Sequence, residues 1–222
     1  MIWKDEELSP IRDKVYQYIK QAIVQGVYKS GDRIIERELA DQLNVSRTPI
    51  REALFRLESQ GFVKTIPRKG VVVSKLSPDE IVEIFTILSV IESLAIKLAA
   101  QKAGPEHKAE LQQIIEEIDH ALSLDILREE DWRFHFKINE VVFRAAQMPR
   151  LQQIIDSLSD YVRAFVHLAY EELPGRLRKA IEEHRELARA VRDGEAELAE
   201  NLMKIHVENS KKAYLEALMK EE

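Results

Sequence analysis

Residues 36–61 read Glu36-Arg37-Glu38-Leu39-Ala40-Asp41-Gln42-Leu43-Asn44-Val45-Ser46-Arg47-Thr48-Pro49-Ile50-Arg51-Glu52-Ala53-Leu54-Phe55-Arg56-Leu57-Glu58-Ser59-Gln60-Gly61. Leu39, Ala40 and Leu43 share one face of a short helix over 36–43, and Asn44-Val45-Ser46 breaks it after two turns. A second helix runs from about Arg47 or Thr48 to Gln60. Ser46 or Thr48 can cap it, Pro49 sits in its first turn, where a missing N–H costs nothing, and Gly61 ends it. Two short helices joined by a tight turn, the second with polar residues outward, predict a helix-turn-helix.

The surroundings complete the motif. Pro10 opens an earlier helix in which Ile11, Val15, Ile19 and Ala22/Ile23 recur at three and four residues until Gly26. Lys29-Ser30-Gly31-Asp32 is turn chemistry. After Gly61, Val63-Lys64-Thr65-Ile66 and Val71-Val72-Val73 are β-branched runs around Pro67-Arg68-Lys69-Gly70, which predicts a hairpin. From Leu76 onward only helices are expected. Ser77 and Pro78 begin a long one with core positions Ile81, Ile84, Leu88, Ile91, Ala95 and Leu98. Others follow at about 105–125, 129–146, 149–173, 175–193 and 195–219, and connections this short imply antiparallel neighbours. The expected fold is mainly α. It comprises a winged helix-turn-helix over residues 1–75 (three helices plus a β-hairpin) and an all-α six-helix antiparallel bundle over 76–222.

Composition narrows the function. The 222 residues include no cysteine, which excludes disulfides, Cys-zinc sites, iron–sulfur clusters and thiol catalysis. No apolar run approaches the ~18 residues of a membrane span, and the acidic opening Met1–Glu7 lacks a secretory signal, so a cytoplasmic protein is expected. The net charge of −6 is unevenly spread. Residues 1–75 hold 14 Lys/Arg against 10 Asp/Glu, and the rest holds 19 against 29. Residues 46–75 alone carry Arg47, Arg51, Arg56, Lys64, Arg68, Lys69 and Lys75 against two glutamates. A basic patch on an acidic body draws a polyanion to one end.

In a helix-turn-helix the early residues of the second helix meet base edges in the major groove, here Arg47, Thr48 and Arg51. An arginine fork can donate two hydrogen bonds to guanine. Arg68 and Lys69 at the hairpin tip could reach phosphates or the minor groove. The string Glu36 to Leu54, with Arg56-Leu57-Glu58, Gly61-Phe62-Val63 and Pro67-Arg68-Lys69-Gly70, strongly resembles the winged helix of GntR-family transcription regulators over nearly all of residues 10–75. Ser46-Arg47-Thr48-Pro49-Ile50-Arg51-Glu52-Ala53-Leu54 is its most specific part. The resemblance implies that Arg37, Arg47 and Arg51 contact DNA, joined by Thr48 and by Arg68, Lys69 and Gly70 of the wing.

The second half carries all six histidines. His107 and His120 lie among charged neighbours and read as solvated. His135 shares a face with Asp131, Ile138 and Val142. His184 follows Ile181 and precedes Ala188 and Val191, and His206 follows Leu202 and precedes Asn209 and Ala213. Three histidines and one aspartate thus point into a bundle, where a charge is costly unless paired or bound to a cation. Asp131 and His135 stand one helical turn apart. Imidazole and carboxylate suit zinc, nickel, manganese or iron, and three histidines and one aspartate do not select one. Ordinary buried histidines are the alternative.

An acidic helical domain after such a winged helix, with Asp-x-x-x-His and two later histidines, resembles the FCD effector-binding domain of the FadR/FCD subgroup, in its six-helix VanR-type form. That resemblance implies a divalent metal on Asp131, His135, His184 and His206, and a small organic acid as effector. Many relatives place an arginine four residues before the glutamate of the first bundle helix, whereas here Leu88 precedes Glu92. Arg133, Arg163, His167 and Tyr170 are candidates to line the effector cavity instead. The expectation is a ligand-responsive homodimer on a double-stranded, pseudo-palindromic operator, with no membrane partner and no enzymatic activity. A metalloenzyme is the rival, because an open metal position could activate water. Glu183 adjoins His184 but points about 100° around the helix, so no general base is evident beside the ligands. A purely structural metal is the third reading.

Overall fold

Val15, Ile19 and Ile23 lie completely buried along one side of α1 (Ile11–Val24), as their three- and four-residue spacing requires. The computed structural model describes residues 9–75, 77–124, 127, 131, 133–155, 158, 173 and 175–221. The chain divides into two units, the first ending at Leu76 and the second beginning at Ser77.

In the first unit α2 (Glu36–Leu43) and α3 (Arg47–Ser59) form the helix-turn-helix. The turn depends on Asn44, left-handed with φ 52°, a conformation that asparagine tolerates better than other side chains. Val45 N–H then donates to the Ala40 carbonyl and closes the end of α2. Ser46 takes the N-cap of α3 in extended conformation, but no side chain caps that helix. Leu39, Leu43, Ile50, Leu57 and Val63 join the α1 face in one core.

The hairpin β2 (Val63–Ile66) and β3 (Gly70–Val73) is present, with Ile66 opposite Gly70. Arg68 takes φ 67° at its tip. A third strand, β1 (Arg33–Ile34), pairs antiparallel with β3 and makes the sheet order β1-β3-β2. The hairpin expected from sequence is therefore a three-stranded sheet, because two residues after a turn borrow their ladder from β3 and need no periodicity of their own.

The regular elements among the described residues of the second unit are all helices. Its helices are α4 (Pro78–Lys102), α5 (Pro105–Ser123), α6 (Phe134–Ala146), α7 (149–155), α8 (Arg176–Asp193) and α9 (Ala196–Glu221). Ser77 and Glu80 cap α4 reciprocally. Lys97 pairs with Glu197 and Glu200, and the Phe85 ring lies 5.4 Å from Tyr214, so α4 and α9 run antiparallel. Ile96, Leu111, Ile118, Ile138, Ile181 and Leu187 are fully buried between the helices. The helix expected from 129 becomes regular only at Phe134; Asp131 and Arg133 lie in a 3-10 turn before it.

Candidate functional site

The first unit presents a prepared cationic face. Across the turn, Arg47 Nη2 and Arg51 Nε lie 2.9 and 2.8 Å from the same Glu36 Oε2. Burial works to raise the Glu36 pKa, but the hydrogen bonds from Arg51 and Arg47 outweigh it and leave the carboxyl below its ordinary range. An anionic Glu36 thus holds two guanidiniums side by side while both side chains remain more than half exposed. Each guanidinium has five donors, so most of its donor edge faces outward. Arg37, Thr48, Arg68 and Lys69 are exposed too, and Gly70 opens β3 at φ 85°. Glu58 accepts from Thr65 N–H at 2.6 Å and ties the wing to α3. Arg56 leaves the basic patch: it bonds Asp13 at 3.2 Å and lies 3.9 Å over the Tyr16 ring, fastening α3 to α1.

In the second unit α6, α8 and α9 each contribute one histidine to a single point. A ring nitrogen from each of His135, His184 and His206 lies within 4.8 Å of the others. His184 and His206 are buried and His135 is half-buried. Burial, then the neighbouring His206, His135 and Arg176, push the His184 pKa well below its usual value, which leaves a neutral imidazole, the form a metal requires. His184 Nε2 faces His135 Nδ1 at 2.8 Å, and the other His135 nitrogen lies 3.0 Å from Asn139 Nδ2. His206 Nδ1 donates to Glu183 Oε2 at 2.6 Å, which directs the Nε2 lone pair away from that carboxylate. Three converging imidazoles, at least one neutral and one oriented by a carboxylate, are a donor set that fits a divalent transition metal. Asp131 is buried in the turn one step before α6, yet it stands outside this group of three. In a 3-10 turn side chains four residues apart no longer align.

Glu183 is the site residue that sequence reasoning set aside. Burial works to raise its pKa, but His206 and Arg176 overcome that and hold the carboxyl at about 2. Arg176 bonds both its oxygens at 3.2–3.3 Å, and Asn209 donates at 2.9 Å. It does point around α8 away from His184, but α9 lies on that side and brings His206 to it.

The remaining predicted residues lie elsewhere. Arg133 stands exposed at the N-cap of α6, not in the interior. Arg163, His167 and Tyr170 fall outside the described residues. His120 is exposed, and His107 is half-buried, its Nδ1 accepting from Gly104 N–H at the start of α5. Leu88 is core, whereas Glu92 is buried with burial raising its carboxyl to about 7. Its neighbour Ser93 is also buried, with an Oγ that has no hydrogen-bond partner among the described residues.

Fold and site together define a winged-helix transcription regulator with a helical C-terminal domain. Residues 11–73 match the model for bacterial regulatory proteins of the gntR family, and residues 83–209 match that of the FCD domain. The chain belongs to the GntR family, in its FCD-containing form. It is 30% identical to the HTH-type transcriptional regulator McbR of Escherichia coli over 179 residues, covering 78% of this chain and 79% of McbR. It is 33% identical to the Nta operon transcriptional regulator of Aminobacter aminovorans over 138 residues, covering 61% and 64%. The solved structure of E. coli McbR/YncC superposes with a TM-score of 0.74 at 26% identity, over 97% of this chain and 100% of that one. A GntR regulator from Rhodococcus sp. RHA1 shares the fold with a TM-score of 0.73 at 21% identity, over 93% and 98%. These relatives are transcription regulators, not enzymes, so the metalloenzyme reading falls. The protein is a DNA-binding transcription regulator. Among the described residues no helix is long and apolar enough to cross a membrane.

Proposed function

We propose that this regulator binds a pseudo-palindromic operator as a homodimer, and that a small organic acid bound at or near a divalent metal in the bundle sets its operator affinity. The supporting observation is the convergence of His135, His184 and His206 from three different helices. Asp131, His135, His184 and His206 would hold the ion, and zinc suits this nitrogen-rich donor set best. When bound, the metal supplies a Lewis-acid position at which a carboxylate can sit. Leu88 leaves no arginine at its place on α4 to anchor that carboxylate, so the ion and the walls of the bundle carry the recognition. Arg37, Arg47, Thr48 and Arg51, with Arg68, Lys69 and Gly70 of the wing, form the DNA face.

The acid must bind one arrangement of the protein more tightly than the other, since a ligand with no preference shifts nothing. Coupling between such sites is typically about 1–3 kcal/mol, or 5–150-fold in affinity. The test combines metal analysis of the purified chain with a thermal-shift screen of small carboxylic acids and operator titrations with and without each hit. About one metal per chain and an acid that moves both melting temperature and operator affinity are expected. A chain that carries no divalent metal and gains no stability from added zinc, nickel, manganese or iron refutes the reading.

A further inference from the structure

Phe55 stands 74% exposed on α3, whereas every other phenylalanine among the described residues is buried or half-buried. A ring held in water gives up the burial that the others gain. Its place on the helix is specific. At about 100° per residue, Phe55 lies about 40° around the helix from Arg51 and about 20° from Thr48. It thus shares their outward face, opposite the buried Ala53 and Leu57. Past Phe55 the polar side chains of α3 are engaged within the chain: Arg56 with Asp13, Glu58 with the Thr65 N–H, and Ser59 with the Arg56 carbonyl. The far end of the face is therefore left to the ring.

The protein binds DNA, and charge says which side of α3 meets it, since Glu36 holds the Arg47 and Arg51 guanidiniums side by side there. From Arg51 to Phe55 the helix rises about 6 Å, less than two base-pair steps of about 3.4 Å. A groove that admits Arg51 to base edges thus receives the ring as well. The base edges of the major groove offer donors, acceptors and one apolar group, the 5-methyl of thymine. A phenyl ring satisfies none of the donors and acceptors it covers, and covering them unpaired is costly. Thymine is the base whose edge it matches.

We propose that Phe55 is a specificity-determining residue, packing its ring on the methyl of a thymine within two base pairs of the one that Arg51 reads. The inference rests on the DNA face proposed above and adds to it a residue and the base it selects. The test uses the full-length protein and a duplex that it selects from random sequence. Each thymine of that duplex is replaced in turn by uracil, which lacks only the methyl. One position in each half-site should weaken wild-type binding about fourfold, the worth of one buried methyl. Phe55→Ala should keep the wild-type circular dichroism, bind the thymine duplex about tenfold more weakly, and show no further loss at that uracil position. Its binding to scrambled duplex, which phosphate contacts carry, should not change. Wild-type affinity of Phe55→Ala for the selected duplex refutes the proposal, as does a wild type indifferent to every uracil. A uracil loss that persists undiminished in Phe55→Ala assigns the methyl to another residue and refutes it too. Equal weakening on selected and scrambled duplex places the ring on the sugar–phosphate backbone and overturns the base assignment. Arg51→Ala separates the two readings: if it loses affinity while Phe55→Ala does not, this inference alone fails, and if neither loses affinity, the DNA face on α3 fails with it.

Discussion

Replacing Glu92 with glutamine should stabilise the bundle, and more so at high pH. Its carboxyl is raised from 4.5 to about 7 because burial in α4 opposes the charged form. Below pH 4.5 the group is neutral folded or unfolded and contributes nothing. As the pH climbs from 4.5 to 7, the unfolded chain ionises Glu92 freely while the native chain keeps it neutral, so stability drains away. Above about 7 both states are ionised and the loss levels off. At 1.36 kcal/mol per pH unit the loss is on the order of 1 kcal/mol at pH 5 and 3 kcal/mol at pH 8. Glutamine has a similar shape and no proton to lose, so Glu92→Gln recovers that loss. A protein of this length gains about 2–4 °C in melting temperature per kcal/mol. Calorimetry in the presence of a chelator should therefore show the variant's advantage growing by about 5–10 °C between pH 5 and pH 8. Other titrating groups are common to both proteins and cancel in the difference. An advantage equal at the two pH values would mean that Glu92 meets water or a cation in solution, and the burial argument would fail.

The other expectations concern the two sites. Arg47→Ala or Arg51→Ala should each cost about 1–3 kcal/mol of operator affinity relative to scrambled duplex in fluorescence anisotropy, whereas Arg68→Ala or Lys69→Ala should weaken all sequences alike and flatten the salt dependence. An Arg47/Arg51 double variant that footprints the same site at wild-type affinity would displace the DNA face from α3. Metal content by mass spectrometry should fall sharply in His135→Ala and His184→Ala and stay unchanged in His107→Ala and His120→Ala; equal content in all four removes the ligand assignment. Glu183→Gln should lower metal affinity about 10–100-fold through His206 alone, and wild-type affinity would show that the carboxylate does not orient that ring. Asp131→Ala/His135→Ala should bind operator normally but ignore the acid, and a surviving acid response would place the effector elsewhere.

The DNA-binding half was legible because its signals are local. Asn44, Ser46, Pro49 and Gly61 each act on the backbone within a few residues, and α2 and α3 begin and end where those residues say. What was not legible there is non-local. β1 exists because β3 offers it a ladder, and Arg56 faces α1 because Asp13 and Tyr16 lie across from it. Seven basic side chains in thirty residues looked like one patch, but the fold divides them between a ligand-facing surface and an internal fastening.

The bundle shows how one-dimensional periodicity misleads in a second way. Ile84, Ile91 and Leu98 carry the same three-and-four spacing as Ile81, Leu88 and Ala95, and periodicity alone assigns all six to one core. In the folded chain the first three sit at the rim of the bundle beside exposed Ile87, Val90 and Leu94. An apolar arc that wide has two sides, and the bundle covers one. The same geometry hid Glu183, since pointing away from His184 was read as pointing away from the site. A helix surrounded by neighbours has no idle side. The residue 100° from one histidine meets the histidine of the next helix, and at Glu183 that meeting joins Arg176, Asn209 and His206 in one hydrogen-bonded group. Orientation of the His206 ring and the register of α8 on α9 are therefore set by the same carboxylate. A ligand that pulls on one must strain the other, and this gives the proposed site a mechanical route into the bundle.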